Sequence, residues 1–196
     1  MMKLKVESFA LLDKLEGHNE IQSELIDLIT KESDSTQMLT EDLLTEDRNR
    51  ISYTDQNDSK DFNRKYVKIV KPYLQKYIEK CASEQGYLDP IIEDMWYQRY
   101  SYIGDKLGWH IHTGNFTGVY YLKYNNDRPT ETQLIQPCDQ DKRIMVVAEE
   151  GDVIVFPSYM IHKSPPLVTE NEKIVISFNI NWNKIHPEMN PRLYKI

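Results

Sequence analysis

Residues 108–122 read Gly-Trp-His-Ile-His-Thr-Gly-Asn-Phe-Thr-Gly-Val-Tyr-Tyr-Leu, and they carry two histidines, His110 and His112, two positions apart. Successive side chains of a β-strand point to opposite faces, so a strand here places both imidazoles on one face. A second stretch, Gly-Asp-Val-Ile-Val-Phe-Pro at 151–157, is followed by His162. Neutral imidazole is a good ligand for iron, zinc, copper and nickel. The pattern favours one metal ion held by three histidines, with other positions open to oxygen or substrate.

The two remaining histidines serve as a comparison. His18 precedes the first predicted helix and His186 lies in the C-terminal tail, and we expect both to be solvated. An isolated histidine is more often a hydrogen-bonded core or surface residue than a ligand. Spacing alone therefore leaves both interpretations of the three-histidine set open.

The second half of the chain is rich in short β-branched and aromatic runs separated by Gly, Pro, Asn and Asp. These runs predict seven strands, at residues 95–102, 109–112, 117–124, 132–136, 143–147, 153–156 and 173–182. No helical period follows Gly86. The fold class predicted is α+β with a mostly β core, a jelly roll or barrel of two sheets.

The first half is helical in pattern. Apolar residues recur every three or four positions over 20–31, with Asn19 as a cap, and again over 59–85, with Pro72 expected to kink or divide that helix. The polar residues 33–58 between them predict a long surface connection and a candidate lid. We expect one domain over 1–196: a helical part (1–90) that braces the sheet, the β core (91–183) and a tail (184–196).

Composition narrows the class of protein. The chain has 196 residues, a net charge of −7 and no basic run, which argues against bulk binding of nucleic acid. Cys81 and Cys138 form no disulfide framework, and there is neither a signal peptide nor an apolar run of about 18 residues, the length of a membrane span. We expect a soluble cytoplasmic protein; its oligomeric state stays open.

The region from Met95 to Trp182 resembles the double-stranded β-helix (jelly roll) core of the Fe(II)- and 2-oxoglutarate-dependent dioxygenases. It is most similar to their prolyl hydroxylase branch and to 2OG-Fe(II) oxygenases of phages and bacteria; a phage-encoded chain would work in the host cytoplasm. The resemblance rests on His110, on a Gly-Asp-x-x-x-Phe-Pro strand shortly before His162, and on Tyr-Tyr-Leu at 120–122.

The resemblance implies Fe(II) and 2-oxoglutarate as cofactors. It implies His110, His112 and His162 as metal ligands, and Tyr100, Tyr121 and Lys173 in the 2-oxoglutarate pocket. Ser177 joins this set because it shares a strand face with Lys173 and can donate a hydrogen bond to the same carboxylate.

The sequence departs from the family pattern at two places. His112 stands where most of the superfamily has a carboxylate ligand, so a carboxylate could come from elsewhere; the candidates are Asp105, Glu149, Glu150 and Asp152. Lys173 stands where arginine is usual, which keeps the charge but loses the bidentate fork.

Three further residues are possible pocket residues. Trp96 and Gln98 share strand parity with Tyr100, and Asn179 shares it with Lys173. Core packing for Trp96, and satisfaction of the backbone for Asn179, are equally good interpretations.

The resemblance implies an oxygenase that converts 2-oxoglutarate to succinate and carbon dioxide and hydroxylates a second substrate, either a small molecule or a peptide or protein side chain. Two alternatives stay open: a three-histidine, cupin-like dioxygenase that uses no oxo acid, and a non-catalytic metal-binding or interaction module on the same fold.

Overall fold

A computed structural model describes residues 8–35, 50–124, 132–137 and 139–186. This part of the chain contains two helices and twelve strands. In chain order they are β1 (Leu11–Lys14), α1 (His18–Ser35), β2 (Tyr53–Thr54), α2 (Lys65–Glu84), β3 (Tyr87–Leu88), β4 (Ile91–Tyr100), β5 (Leu107–His110), β6 (Phe116–Lys123), β7 (Gln133–Gln136), β8 (Asp139–Met145), β9 (Asp152–Pro157), β10 (His162–Ser164), β11 (Lys173–Asn181) and β12 (Lys184–Ile185).

Two antiparallel sheets form the β core. The larger has the strand order β1-β9-β6-β11-β4-β2 and the smaller has the order β5-β10-β7-β8. From β4 to β7, and again from β8 to β11, consecutive strands alternate between the two sheets, as expected of a jelly roll. The predicted class, a mostly β core with two N-terminal helices, is confirmed.

Both helices pack on the outer face of the larger sheet. Apolar side chains at helical spacing, such as Leu25 and Ile29 of α1 and Leu74 and Ile78 of α2, are fully buried in one cluster with the sheet. The Tyr77 hydroxyl of α2 donates to the Val153 carbonyl of β9 at 2.9 Å. The helices therefore brace the sheet from outside, as predicted.

The inner strands β6, β9 and β11 of the larger sheet are buried on both faces, and their side chains alternate between two environments. On β11, Ile174, Ile176 and Phe178 join the cluster beneath the helices, while Val175 belongs to a second cluster between the sheets. Gly118 lies opposite Phe178, and a Cβ at Gly118 would sit 2.3 Å from that ring. The face between the sheets is the one that builds the site described below.

The helices differ from the sequence prediction at their ends. Helix α1 extends to His18 and Ser35, so Asn19 lies inside it rather than capping it, and α2 begins at Lys65 rather than near residue 59. Pro72 lies inside α2, which continues past it as one helix. Of the two expected effects of Pro72, division of the helix is therefore wrong, and a kink stays a prediction.

The strands differ where the sequence signal is weak. Strand β1 is mostly exposed and half charged, and β10 has only three residues, so neither has a clear alternating pattern. The loop expected over 137–142 is largely wrong, since β8 begins at Asp139. Within the predicted connection 33–58, α1 reaches Ser35 and β2 adds an edge strand; residues 36–49 and 125–131 lie outside the described part of the chain.

His18 corrects the expectation of a solvated residue. Its Nδ1 lies 2.6 Å from the Tyr120 hydroxyl, at the junction of α1 and β6, and the ring is half-buried.

Among the described residues, no helix is both long and apolar enough to cross a membrane. That residues 1–196 form a single domain stays a prediction.

Candidate metal centre

The three histidines of the sequence pattern meet on two neighbouring strands of the smaller sheet. His110 ends β5, and His162, at the start of β10, lies directly opposite it in the antiparallel pair. His112 follows β5, and its backbone N–H donates to the Ser158 carbonyl at 3.1 Å. The centroids of the His110 and His162 rings are 4.1 Å apart.

The ring nitrogens of these histidines converge on one point. The Nε2 atom of His112 lies 3.1 Å from Nε2 of His110 and 3.1 Å from Nε2 of His162. Two imidazoles at right angles on one metal, each with a bond of about 2.1 Å, place their nitrogens about 3.0 Å apart, whereas a tetrahedral angle gives about 3.4 Å. The two measured distances therefore fit nitrogens that occupy neighbouring positions on one metal ion, and the candidate ligand atoms of all three histidines lie within 4.8 Å of one another.

Backbone carbonyls fix the orientation of two of the rings. Nδ1 of His110 lies 2.7 Å from the Gly108 carbonyl, and Nδ1 of His162 lies 2.9 Å from the Met160 carbonyl. A carbonyl accepts only, so Nδ1 carries the proton and the lone pair is on Nε2, where a metal would bind. The third ring, His112, stacks on Trp96 with 5.5 Å between centroids.

Burial keeps all three imidazoles neutral. It lowers the pKa of His112 to about 4, helped by the nearby His110, and it lowers the pKa of His162 to about 3, again with His110 contributing. Burial also lowers the pKa of His110, although its bond to Gly108 opposes this. Neutral imidazoles can bind a cation at neutral pH without first losing a proton.

The four carboxylates considered as alternative ligands are used elsewhere. Asp105 is buried and accepts hydrogen bonds from Ser52 and from the backbone of Ser101. Glu150 binds Gln22 and the Tyr124 backbone, and Glu149 and Asp152 lie near Lys14. Across the described ranges, the metal-ligating cluster consists of the three histidines alone.

A small cavity lies beside the histidines. Its polar wall includes Gln98, Tyr100, Thr132, Ser164, Lys173 and Ser177, and Lys163 also lines the cavity. Four of these, Gln98, Tyr100, Lys173 and Ser177, were picked out from the sequence. Thr132 and Ser164 were not, although Ser164 is two residues after His162 and so shares its strand face.

Lys173 is buried at the far end of this cavity. It pairs with Tyr100 across β11 and β4, and its exposed fraction is 3%. Its Nζ donates to the Ser164 hydroxyl at 2.9 Å and lies 5.1 Å from the centre of the Tyr100 ring. A buried ammonium group surrounded by hydroxyls and an aromatic face is suited to an anionic ligand.

Hydroxyl groups connect the side walls of the cavity. Tyr121 does not line the cavity itself, but its hydroxyl donates to Oγ1 of the lining residue Thr132 at 2.8 Å. Gln98 Oε1 accepts from the hydroxyls of Ser177 and Tyr100, each at 3.4 Å. Burial raises the pKa of Tyr100 well above its usual value, so its hydroxyl stays protonated and can donate.

Trp96 and Asn179 lie on the same sheet face at the metal end. Trp96 is directly opposite Ser177 across β4 and β11, and Asn179 is directly opposite Asp94. Burial raises the pKa of Asp94, and the Asn179 amide beside it opposes this rise. Fold and geometry together place a cluster of three histidines that could hold a metal ion beside a pocket that contains a buried lysine, inside a jelly roll.

The chain matches a known family over this core. The family described as "Putative 2OG-Fe(II) oxygenase" matches residues 94–179, a range that contains all three histidines and Lys173. This match confirms the resemblance to the Fe(II)- and 2-oxoglutarate-dependent dioxygenase superfamily, and the family implies Fe(II) and 2-oxoglutarate as cofactors. No curated protein sequence matches the chain significantly.

Two solved structures show how far the fold extends. A prolyl hydroxylase from Trichoplax adhaerens, in complex with a peptide of the hypoxia inducible factor oxygen degradation domain, has a TM-score of 0.60 at 14% identity, covering 88% of this chain and 83% of its own. A viral collagen prolyl hydroxylase from Paramecium Bursaria Chlorella virus-1, in complex with 2OG, has a TM-score of 0.59 at 16% identity. The match covers 88% of this chain and 95% of the viral enzyme. At such low identity the likeness establishes the shared fold alone.

Proposed function

We propose that the protein is an Fe(II)- and 2-oxoglutarate-dependent dioxygenase that hydroxylates a second substrate. The observation that carries this proposal is the convergence of three neutral Nε2 atoms, 3.1 Å apart in two of the pairs, beside a cavity that ends at a buried lysine. The family match supports the same conclusion independently of the geometry.

The three histidines would hold Fe(II) through their Nε2 atoms. His110 and His162 are pre-oriented by their Nδ1 bonds to Gly108 and Met160, and His112 is held by its stack on Trp96. Such fixed orientation of the ligands is typical of functional metal sites. The three remaining positions suffice for a chelating oxo acid and one oxygen molecule.

Lys173 would bind the distal carboxylate of 2-oxoglutarate as a point charge. The Ser177 and Tyr100 hydroxyls line the same wall, and Tyr121 would act directly or through Thr132, to which it donates at 2.8 Å. A charge-assisted contact in a buried pocket is stronger than a neutral hydrogen bond. The 2-oxo end would then point from Lys173 toward the histidines.

With both cofactors bound, a centre of this family supplies oxygen chemistry. One atom of dioxygen is incorporated as 2-oxoglutarate is converted to succinate and carbon dioxide, and the other is inserted into a C–H bond of the second substrate. The chain's own contribution is to orient the oxo acid and to exclude water from the pocket. Cys81 is a free buried thiol in the described chain, which suits a reducing, cytoplasmic setting where Fe(II) persists.

The second substrate would be a small molecule or a peptide or protein side chain. The two structural relatives are described as prolyl hydroxylases, and one of them is in complex with a peptide. Fold likeness alone does not transfer a substrate.

A three-histidine dioxygenase that needs no oxo acid is the competing function, and the absence of a carboxylate from the described ligand cluster is the observation in its favour. Lys173 discriminates between the two. A buried cation at the end of the cavity has a clear role in binding a dicarboxylate, whereas direct activation of a substrate on the metal does not require it.

The test is succinate formation from 2-oxoglutarate by Fe(II)-loaded protein, together with the visible charge-transfer band of the anaerobic Fe(II)–oxo acid chelate. We expect both in the wild type, a weakened band in Lys173→Ala, and a normal band in Lys80→Ala, which removes an exposed lysine paired with Asp13. A band of equal affinity in Lys173→Ala, or iron-loaded protein without any band, would reject 2-oxoglutarate as the cosubstrate.

A further inference from the structure

Three buried polar atoms on adjacent positions of β4 and β11 have no hydrogen-bond partner among the described residues: Asp94 Oδ1, Trp96 Nε1 and Asn179 Oδ1. Trp96 and Asn179 are 2% and 5% exposed. A buried polar group without a partner costs about 1–3 kcal/mol. Three such groups side by side indicate a place where something else supplies the partners.

The register of the two strands places this group relative to the proposed cofactors. The cross-strand pairs on the cavity face run Lys173 with Tyr100, Val175 with Gln98, Ser177 with Trp96, and Asn179 with Asp94. Six residues of strand span about 20 Å, so Asn179 lies far from Lys173. Trp96 stacks on His112, which fixes the metal near the third pair. The orphaned atoms therefore begin at the metal and extend away from the 2-oxoglutarate pocket.

We propose that Asp94, Trp96 and Asn179 form a recognition site for an amide group of the second substrate, in particular a peptide group. This inference rests on the proposed function, because the proposed 2-oxoglutarate pocket is what leaves this side of the metal to the second substrate.

The donor and acceptor types select the ligand. Trp96 Nε1–H can only donate, while the oxygens of Asp94 and Asn179 accept. A peptide group satisfies both, because its carbonyl accepts from the indole while its N–H donates to one of the oxygens. A carboxylate ligand has no proton to donate and would be repelled by Asp94, and an ammonium group would leave the indole unpaired.

Charge argues against a nucleobase, the other common group that offers a donor and an acceptor together. The neighbouring Glu93 is exposed and carries a second carboxylate at this end of β4, and the chain as a whole has a net charge of −7. Phosphate backbones bind where Lys and Arg collect, and this end of the site presents acidic groups instead.

A second buried indole in the chain provides a matched control. Trp182 Nε1 also has no described partner, but its ring packs against Phe116 and Tyr87 in the cluster beneath the helices. A dry apolar position offers no entry to a ligand. The two indoles thus share burial and differ in their neighbours, since only the Trp96 ring stacks on a histidine of the site.

The experiment uses full-length protein loaded with diamagnetic Zn(II) and 2-oxoglutarate, and follows the three indole N–H signals by NMR. N-methylacetamide is the probe, methyl acetate is its analogue without a donor, and uridine represents a nucleobase. Trp96→Phe and Trp182→Phe assign the signals.

We expect N-methylacetamide to move the Trp96 signal downfield and saturably, while the Trp182 signal does not move. Methyl acetate should bind at least tenfold more weakly than N-methylacetamide. Asn179→Leu should weaken the binding of N-methylacetamide at least tenfold. Four results would overturn the proposal: a Trp96 signal that does not move, one that moves equally with methyl acetate, one that moves together with the Trp182 signal, or one that responds more strongly to uridine. A Trp96 signal that does not move is also the result expected if an ordered water, rather than the substrate, supplies the missing partners.

The outcome is separable from that of the proposed function. The chelate band of the Fe(II) protein tests 2-oxoglutarate binding in the same variants. A normal band in Asn179→Leu with a lost amide response supports the inference. A normal wild-type band without any amide response overturns the inference and leaves the oxygenase proposal in place, whereas an amide response without a band supports the site and rejects the oxygenase.

Discussion

The two faces of β11 show opposite ways of using a buried strand. On the face toward the helices, Ile174, Ile176 and Phe178 are completely buried in an apolar cluster. On the face toward the smaller sheet, Lys173, Ser177 and Asn179 are almost as deeply buried but polar. Burying apolar surface stabilises the fold, and burying polar groups opposes it unless they gain partners. The difference separates the residues that stabilise the protein from those that we propose bind its ligands.

Removal of a metal ligand should give the largest effect. His162→Ala removes the most deeply buried imidazole, and we expect it to lower succinate formation more than about 1000-fold, equivalent to about 4 kcal/mol. His18→Ala is the matched control, since it removes a half-buried histidine on the helix side whose Nδ1 bonds to the Tyr120 hydroxyl; we expect the lost hydrogen bond to lower the free energy of unfolding by about 1 kcal/mol. Equal activities of the two variants would contradict the proposal that His162 is a metal ligand.

A large apolar residue on the opposite face should affect stability alone. Phe178→Ala leaves a cavity over Gly118, and we expect the free energy of unfolding to fall by about 3–5 kcal/mol. Urea denaturation measures this loss. Below the transition, the activity per folded molecule and the chelate band should match the wild type; a shifted band would mean that the helix side also shapes the metal site.

Lys173→Ala should impair 2-oxoglutarate binding without lowering stability, the opposite of Phe178→Ala. Loss of a charge-assisted contact of about 2.7 kcal/mol raises the KM for 2-oxoglutarate about 100-fold. The free energy of unfolding should stay constant or increase, because the substitution removes a buried charge. Steady-state kinetics and denaturation of the same preparation check both halves, and a destabilised variant with unchanged KM would assign Lys173 a purely structural role.

Acidification of the metal-free protein should show a smaller effect. The folded-state pKa of His162 is about 3 and that of an unfolded histidine is about 6.5, so the unfolded chain binds the extra proton first as the pH falls. Stability is therefore full above pH 6.5 and is lost below it; His162 alone contributes about 2 kcal/mol between pH 6.5 and 5. Denaturation curves of chelator-treated wild type and His162→Ala measure this slope, which the variant should reduce.

Much of the architecture could be predicted from the sequence because the decisive signals are local. Strand parity placed Lys173, Val175, Ser177 and Asn179 on one face, and the register confirms that they share it. Helix periodicity gave the buried face of α2, because apolar spacing reflects the packing that stabilises it.

The rest depends on contacts that no local pattern encodes. Thr132 reaches the cavity wall beside Tyr121 through the pairing of β7 with β10, and β1 exists only because its backbone pairs with β9. His18 was expected in solvent, yet the packing of α1 brings it against Tyr120. Partners distant in sequence, rather than residue type, decide these positions.

The central claim is that three imidazoles bind one iron beside a 2-oxoglutarate pocket. X-ray absorption of the anaerobic Fe(II) protein, recorded before and after 2-oxoglutarate is added, tests it most directly. We predict one iron per chain with three imidazole nitrogens in a six-coordinate shell, in which two oxygens of the oxo acid replace two waters. Iron bound by fewer than three imidazoles, or a shell that 2-oxoglutarate leaves unchanged, would contradict the account.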